Sequence, residues 1–156
     1  MKLDGLIVLL TGGSGTLGKE LIPLLRAKGA KVLAPSHAEF PVEDILAVNE
    51  YARDNRFNVI LHAAAWTDVP GAEKKKNFQK VLDCNINGTG NMKYITRHYD
   101  AKLIYISTDY VYSGVGGCYD VKSPTKPTTF YGFTKLAGES FVDVKTDIII
   151  RTTFVK

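Results

Sequence analysis

The chain has 156 residues, of which 45% are hydrophobic and 23% charged, and this length and composition predict one soluble domain spanning residues 1–156. Its net charge of +4 includes a lysine run at 74–76, but no aromatic-plus-basic motif accompanies these lysines, so we predict no nucleic-acid partner. The two cysteines and three histidines are too scattered for a disulfide framework or a metal site, and no apolar run is long enough to span a membrane, so we expect a cytoplasmic protein.

Short apolar runs alternate with segments whose apolar residues have helical spacing. In chain order they predict a strand at 6–10, a helix at 16–28, a strand at 31–35, a helix at 42–53, a strand at 58–65, a helix at 75–98, a strand at 102–107, a loop over 107–130, a helix at 131–144 and a strand at 147–152. Strands that are apolar throughout are typical of parallel sheets buried on both faces. The alternation therefore predicts an α/β fold with helices flanking a parallel sheet.

The segment "TGGSGTLGKE", residues 11–20, joins the first strand to the first helix. It fits a dinucleotide-binding loop in two registers, Gly13-x-Gly15-x-x-Gly18 and Gly12-x-x-Gly15-x-x-Gly18. Glycines let the backbone approach a pyrophosphate, which the free N–H groups and the dipole of a helix N-terminus favour. We therefore predict a cofactor site that includes Gly12, Gly15, Thr16, Leu17 and Gly18.

The same segment also comes close to the phosphate-binding loop of nucleoside triphosphatases. Gly13 and the pair Gly18–Lys19 have the spacing of that motif. The motif then needs a Ser or Thr hydroxyl to hold magnesium, and Glu20 stands there. A carboxylate would repel the phosphates, so a dinucleotide is the preferred ligand.

The second predicted strand ends in "APSH", and this end decides which dinucleotide is expected. An acidic residue there would hold the adenosine ribose of NAD, whereas groups that tolerate a phosphate suit NADP. Ser36 and His37 would tolerate the 2′-phosphate of NADP, whereas Glu39 is close enough to keep NAD as an alternative cofactor. The sequence favours NADP(H) weakly over NAD(H).

Six motifs in order along the chain show a family resemblance: "TGGSGTLG", "HAAAWTDVPGAEKK", "NINGTGN", "ISTDYVYSG", "YGFTKLAGE" and "IIIRTTF". Together they resemble the extended short-chain dehydrogenase/reductases, and within them most closely the dTDP-4-dehydrorhamnose reductases. The resemblance implies a Rossmann-type doubly wound sheet. It also implies NAD(P)H-dependent reduction of the 4-keto group of a nucleotide-linked deoxysugar.

The resemblance also implies roles for Thr108, Tyr131 and Lys135. Thr108 would hydrogen-bond the substrate carbonyl, and Tyr131 would protonate its oxygen. Lys135, four residues further on the same helical face, would hold the nicotinamide ribose. As a nearby cation, Lys135 would also lower the pKa of the Tyr131 phenol, which favours proton transfer near neutral pH.

Further site residues follow from the same resemblance. The small side chains of Ala63, Ala64 and Ala65 would line the cofactor groove, and Thr67 would add a polar contact. Asn85 would be either a structural or a cofactor-side residue. The predicted substrate-binding residues are Ser107, Tyr110 and Phe154. Ordinary packing is the alternative for Tyr110 and Phe154.

The chain departs from the family pattern in ways that affect binding. Pro41-Val42 stands where the family has an aspartate that contacts adenine, and proline offers neither a side-chain acceptor nor an N–H group. Pro70 and Gly71 alter the motif "VPGAE" beside the cofactor, and Phe154 replaces a tryptophan.

The sequence given ends at "RTTFVK", where the family continues into a smaller substrate lobe. A fragment, a split gene, a shortened protein and a lobe supplied by a partner all stay open. We expect weak turnover without that lobe, because remote binding energy helps to drive the chemistry. Among these explanations, a second copy of the chain or another partner chain is the one that predicts an assembly. A non-catalytic NAD(P)-binding or regulatory module is the alternative function.

Overall fold

The computed structural model describes residues 2–153, and its centre is one parallel five-stranded sheet. The strands are β1 (Ile7–Thr11), β2 (Lys31–Leu33), β3 (Val59–His62), β4 (Lys102–Thr108) and β5 (Ile148–Thr152), in the spatial order β2-β1-β3-β4-β5. Every neighbouring pair is parallel. All five predicted strands are present within a few residues of the predicted positions.

Helices cover both faces of this sheet. The helices are α1 (Thr16–Ala27), α2 (Ile45–Asp54), α3 (Val69–Ala72), α4 (Phe78–Leu82), α5 (Gly88–His98) and α6 (Phe130–Glu139). Leu9 and Ile60 pack with α2 and α5 on one face, whereas Val8 and Leu10 pack with α1 on the other. Because neighbouring residues of a strand point to opposite faces, apolar strands of this kind bury both. The predicted doubly wound α/β fold is confirmed.

One part of the second face carries no helix among the described residues. Ile104 and Ile106 of β4 are only partly buried there. Their register partners Ile148 and Ile150 in β5 are 53% and 43% exposed. The outer half of this face therefore presents an apolar surface along the β5 edge.

Three helical predictions differ from the structure. The predicted helix at 75–98 consists of a 3₁₀ turn (Lys75–Asn77), α4, a π-helical turn (Asp83–Asn87) and α5. The helix predicted from residue 42 begins at Ile45, because the Asp44 carboxylate accepts hydrogen bonds from Leu46 N and Ala47 N at 2.9 and 3.3 Å. The last helix ends at Glu139 rather than 144. Helix α3, capped by Asp68, was not predicted. Across residues 2–153 we find no helix with the length and apolar character needed to cross a membrane.

Candidate active site

The order of the strands creates a crevice at the carboxyl ends of β1 and β3. The chain winds from β1 outward to β2 and then returns to β3 on the other side of β1. Such a switch point is where doubly wound sheets bind their ligands. Thr11 and His62 end the two strands as register partners, and Thr11 Oγ1 lies 2.8 Å from His62 Nδ1.

The glycine loop after β1 folds tightly over this crevice. Gly12 has φ +72°, and a Cβ there would lie 2.8 Å from Ala64 N. A Cβ on Gly18 would lie 2.4 Å from Gly12 O, and Gly15 N donates to the same oxygen at 3.0 Å. Gly13 instead faces Ala34. The structure therefore brings together Gly12, Gly15 and Gly18, the second of the two predicted registers.

The first turn of α1 is suited to an anion. Its N-cap, Gly15, has no capping side chain, and no acidic residue lies in the first turn. The first N–H groups of a helix have no partner within it and carry the positive end of the dipole. Thr16 is exposed and Leu17 partly buried beside this turn. These positions stay predictions for a pyrophosphate site.

The alanine segment after β3 forms the opposite wall of the crevice. Ala63, Ala64 and Ala65 are partly buried, and Ala64 N donates to Thr11 Oγ1 at 3.1 Å. Thr67 is exposed beyond them. The small side chains leave the backbone accessible from the crevice, as the prediction of a cofactor groove requires.

Asn85 lies in the π-helical turn and fixes this wall. Its Oδ1 accepts from Trp66 N at 2.8 Å, and its Nδ2 donates to Thr134 Oγ1 at 3.0 Å. The side chain is almost fully buried. Of the two expected roles, these bonds favour the structural one, because the amide already joins the alanine segment to α6.

The three predicted catalytic residues lie at the same edge of the sheet. Thr108 ends β4, and Tyr131 and Lys135 occupy successive turns of α6, which Thr129 caps by accepting from Gly132 N at 3.0 Å. All three side chains are buried. The chain therefore brings a hydroxyl, a phenol and an ammonium together near the glycine loop.

The pKa of Tyr131 is raised, mainly by burial. The Thr108 hydroxyl lowers this pKa, whereas Asp109 and Tyr110 raise it further. At neutral pH the phenol therefore carries its proton, as a proton donor must. The expected lowering of this pKa by Lys135 stays a prediction; the Lys135 ammonium lies 4.2 Å over the ring of Tyr105.

Lys135 is 2% exposed, and burial lowers its pKa to about 7, although Cys84 and Glu139 oppose the shift. Its Nζ lies 4.2 Å from the centre of the Tyr105 ring, and it is not one of the fully enclosed polar atoms that lack a hydrogen-bond partner in residues 2–153. A ligand that offers hydrogen-bond acceptors would pair this ammonium. The two hydroxyls of a nicotinamide ribose are acceptors of the required kind, so the residues present fit such a cofactor.

Replacing Lys135 with methionine is expected to stabilise the chain at pH 7 by about 1–4 kcal/mol, because it removes a buried charge. The folded pKa lies below the unfolded one, so the unfolded state binds more protons between pH 7 and about 10.4, and wild-type stability rises with pH there. Thermal unfolding across this range tests both points. The exposed Lys80→Met is the control and should change stability by less than about 0.5 kcal/mol. A destabilised Lys135→Met would contradict the account.

Comparisons with known proteins agree with the fold described above. Residues 6–155 match the RmlD substrate binding domain. The chain belongs to this family. The dTDP-4-dehydrorhamnose reductase of Streptomyces griseus is 40% identical to this RmlD-family chain over 153 residues, covering 94% of the chain and 49% of that protein.

Solved structures agree with the sequence comparison. The RfbD orthologue of Clostridium acetobutylicum, a dTDP-4-dehydrorhamnose reductase, superposes with a TM-score of 0.88 at 30% identity, covering 95% of this chain and 53% of that one. The Bacillus anthracis enzyme of the same name, solved in complex with NADP, has a TM-score of 0.86 at 32% identity, covering 97% and 53%. The predicted family resemblance is confirmed. The RmlD-family chain spans about half the length of the curated relatives it matches.

The prediction that Ser107 binds substrate stays untested, and the structure shows its hydroxyl directed into the protein. Ser107 is 3% exposed, and its hydroxyl donates to Glu139 Oε1 at 2.6 Å. Its one donor is therefore committed inside the protein. Tyr110 is 43% exposed, with its ring 5.7 Å from that of Tyr131, so it stays a substrate-side prediction. Phe154 lies outside the described residues.

The two residues predicted to accept a 2′-phosphate are both engaged with carboxylates. Glu39 Oε2 accepts from Ser36 Oγ at 2.7 Å and from Ser36 N at 2.8 Å. His37 Nε2 lies 2.8 Å from Glu43 Oε1. These carboxylates place negative charge at the end of β2, which the sequence argument gave too little weight.

Sequence reasoning missed a group of buried polar residues that pack around the candidate site. His62, Tyr105 and Glu139 lie on β3, β4 and α6. Tyr105 and Ser107 alternate along β4, so both face α6, and this two-residue spacing was the signal available in the sequence. Glu139 also binds Arg151 through two bonds of 2.6 and 2.9 Å.

The buried His62 predicts a loss of stability in acid. Burial first, and then Lys135, lowers its pKa to about 3. Between about pH 6.5 and 3 the unfolded state therefore binds the extra proton, so stability falls as pH falls through this window. His62→Gln should flatten the pH dependence of urea unfolding by on the order of 1–3 kcal/mol across the window. The exposed His98→Gln should leave the slope unchanged, and equal slopes in all three proteins would contradict the prediction.

Proposed function

We propose that the chain is the cofactor-binding part of an NAD(P)H-dependent reductase that acts on the 4-keto group of a dTDP-linked deoxysugar. One observation carries the proposal: the buried residues Thr108, Tyr131 and Lys135 lie together at the carboxyl edge of the sheet that bears the glycine loop. The dTDP-4-dehydrorhamnose reductases of Streptomyces griseus and Mycolicibacterium smegmatis, to which the chain is similar, support the choice of sugar.

Each residue has a separate part in the proposed reaction. When bound, the reduced nicotinamide supplies the hydride to the carbonyl carbon. Tyr131 gives its phenolic proton to the carbonyl oxygen, and the Thr108 hydroxyl hydrogen-bonds that oxygen. Lys135 holds the nicotinamide ribose through its ammonium. Gly15 and the first turn of α1 hold the pyrophosphate.

Binding of the whole nucleotide sugar needs more surface than the crevice alone offers. The exposed apolar strip at Ile148 and Ile150 is continuous with the carboxyl end of β4 through their register partners. A substrate lobe that packs on this strip, whichever chain supplies it, would complete the substrate site. Remote contacts of this kind raise turnover as well as affinity.

The preference for NADP(H) over NAD(H) stays a prediction from the sequence. The NADP complex of the Bacillus anthracis relative supports it. The carboxylates of Glu39 and Glu43 oppose it, because they occupy Ser36 and His37.

Replacing Glu39 with alanine is expected to raise the affinity for NADPH relative to NADH by about 3- to 10-fold, because it frees Ser36 and removes a negative charge near the 2′-phosphate. Matched calorimetric titrations with both cofactors measure the ratio. Glu50→Ala, which removes an exposed carboxylate from α2, is the control. An unchanged ratio in Glu39→Ala would show that the adenosine ribose lies elsewhere.

The alternative function is a module that binds the dinucleotide without turnover. The altered loop at Pro70 and Gly71, beside the predicted cofactor groove, favours this alternative. Incubating the purified chain with NADPH and dTDP-4-dehydrorhamnose decides between them, with loss of the reduced-nicotinamide absorbance as the readout. Sugar-dependent oxidation supports the reductase. Binding of NADPH without any oxidation supports the module.

A further inference from the structure

Strand β4 presents a buried aromatic ring to the helix that carries the predicted catalytic pair. Tyr105 is fully buried, and the ammonium of Lys135 lies 4.2 Å above the centre of its ring. The Tyr105 hydroxyl donates to the carbonyl oxygen of Lys135 at 3.3 Å. The Tyr105 side chain therefore contacts both the ammonium and the backbone carbonyl of Lys135.

The close approach of β4 and α6 is built into the sequence. A Cβ on Gly138 would lie 2.5 Å from the Tyr105 hydroxyl oxygen, so glycine at this position lets α6 lie directly on the ring. The ring of His62 stacks beside Tyr105, with centroids 5.7 Å apart and planes inclined by 25°. Tyr105 is therefore held on several sides, and its ring position is fixed by packing.

Electrostatics explain what such a ring does for a buried cation. The face of an aromatic ring carries negative partial charge and attracts an ammonium, most strongly where water is excluded. The other groups that act on Lys135 are Cys84 and Glu139. Neither forms a hydrogen bond with its Nζ in the described part of the chain, so the ring is the group that meets the ammonium at contact distance.

We propose that Tyr105 is a positioning residue that holds the Lys135 ammonium in place to receive the nicotinamide ribose. The inference rests on the proposed function, because it assumes that Lys135 binds this ribose. It adds that the lysine is oriented by an aromatic face from β4 and not by a carboxylate. Tyr105 itself touches neither cofactor nor substrate.

Comparing the affinities for NADH and ADP distinguishes positioning of Lys135 by Tyr105 from a general effect of Tyr105 on the fold. NADH contains the nicotinamide ribose, whereas ADP shares only the adenosine half and its phosphates. Tyr105→Leu is expected to weaken NADH binding by about 2- to 30-fold, the range of a buried cation–π contact. Its ADP affinity should stay within about twofold of the wild type. Tyr105→Phe keeps the ring and should bind both ligands within about threefold of wild-type affinity.

A double variant tests whether Tyr105 acts through Lys135. If it does, adding Tyr105→Leu to Lys135→Met should cause no further loss of NADH affinity. Equal loss of NADH and ADP affinity in Tyr105→Leu, or losses that add in the double variant, would overturn the proposal. Failure of the wild-type chain to bind NADH would overturn the proposed function as well. Wild-type binding with unchanged Tyr105 variants would overturn this inference alone.

A shape-conserving series covers the case in which Tyr105→Leu does not fold. Phenylalanines with increasing numbers of fluorine atoms at position 105 keep the ring but progressively remove the negative charge of its face. Stepwise loss of NADH affinity with constant ADP affinity supports the proposal. NADH affinity that is independent of fluorination contradicts it.

Discussion

Replacing Tyr131 with phenylalanine is expected to lower NADPH-dependent reduction of dTDP-4-dehydrorhamnose by about 10²- to 10⁴-fold, the usual contribution of a general acid. Phenylalanine keeps the ring that packs against Ala72 and Val81 and removes the only proton that Tyr131 can donate. NADPH affinity should stay within about threefold, because the phenol contributes to the reaction rather than to holding the cofactor.

Tyr94→Phe is the matched control for this experiment. Tyr94 is exposed on α5, where its ring stacks near His98, so loss of its hydroxyl should leave turnover unchanged. Equal turnover in wild type, Tyr94→Phe and Tyr131→Phe would remove the proposed mechanism. A Tyr131→Phe variant that also fails to bind NADPH would show that the phenol has a structural role.

Alanine is expected to affect two glycines of the loop differently: it should lower stability at Gly18 and NADH affinity at Gly15. Gly18→Ala should lower the free energy of unfolding by about 2–4 kcal/mol, because its Cβ would overlap the backbone of Gly12 and Gly13, which cannot move aside cheaply. Gly15→Ala meets only Gly12 O at 3.2 Å and has φ −73°, so its stability should change by less than about 1 kcal/mol. Its methyl group would instead occupy the approach to the pyrophosphate, and NADH affinity should fall at least about tenfold.

Urea unfolding and NADH titration of the same variants separate the two effects. Ser14→Ala, an exposed change in the same loop, is the control. It should change NADH affinity by less than about twofold and the free energy of unfolding by less than about 0.5 kcal/mol. Full NADH affinity in Gly15→Ala would exclude the loop as the pyrophosphate site. Unchanged stability in Gly18→Ala would show that the loop can relax around a side chain.

The sheet and its flanking helices could be predicted because their signals are local. Short apolar runs bounded by turn residues, such as "LIVLL", predict buried strands from local sequence. Apolar residues at helical spacing predict α1 and α6 in the same way, without tertiary information. Spacing alone places Tyr131 and Lys135 on one helical face, since four residues make about one helical turn, whereas their predicted catalytic roles came from the family resemblance. Fold class and the general position of the site therefore required only the order of these segments.

The contacts that decide residue roles are long-range and could not be predicted. Ser107 donates to Glu139, 32 positions away in sequence, and no local pattern indicated this bond. Lys135 lies over Tyr105, 30 positions away, and spacing along the chain gave no sign of this contact. The π-helical turn at Asn85 likewise depends on bonds to Trp66 and Thr134 from two other segments.

The partly uncovered sheet face is the other feature that a sequence pattern alone could not define. Ile148 and Ile150 fit a buried strand by composition, yet both are exposed in the structure because the described helices cover only the β1 side of that face. Exposed apolar strips of this kind mark interaction surfaces. The proposed substrate lobe would bury them.

Calorimetric titration of the purified chain with NADH and NADPH tests the central claim most directly, with Lys135→Met measured in parallel. The account predicts saturable binding of at least one cofactor at one site per chain, and a clear loss of affinity in Lys135→Met despite its higher stability. Absence of binding by both cofactors, or equal affinity in Lys135→Met, would contradict the assignment of this crevice as a nicotinamide dinucleotide site.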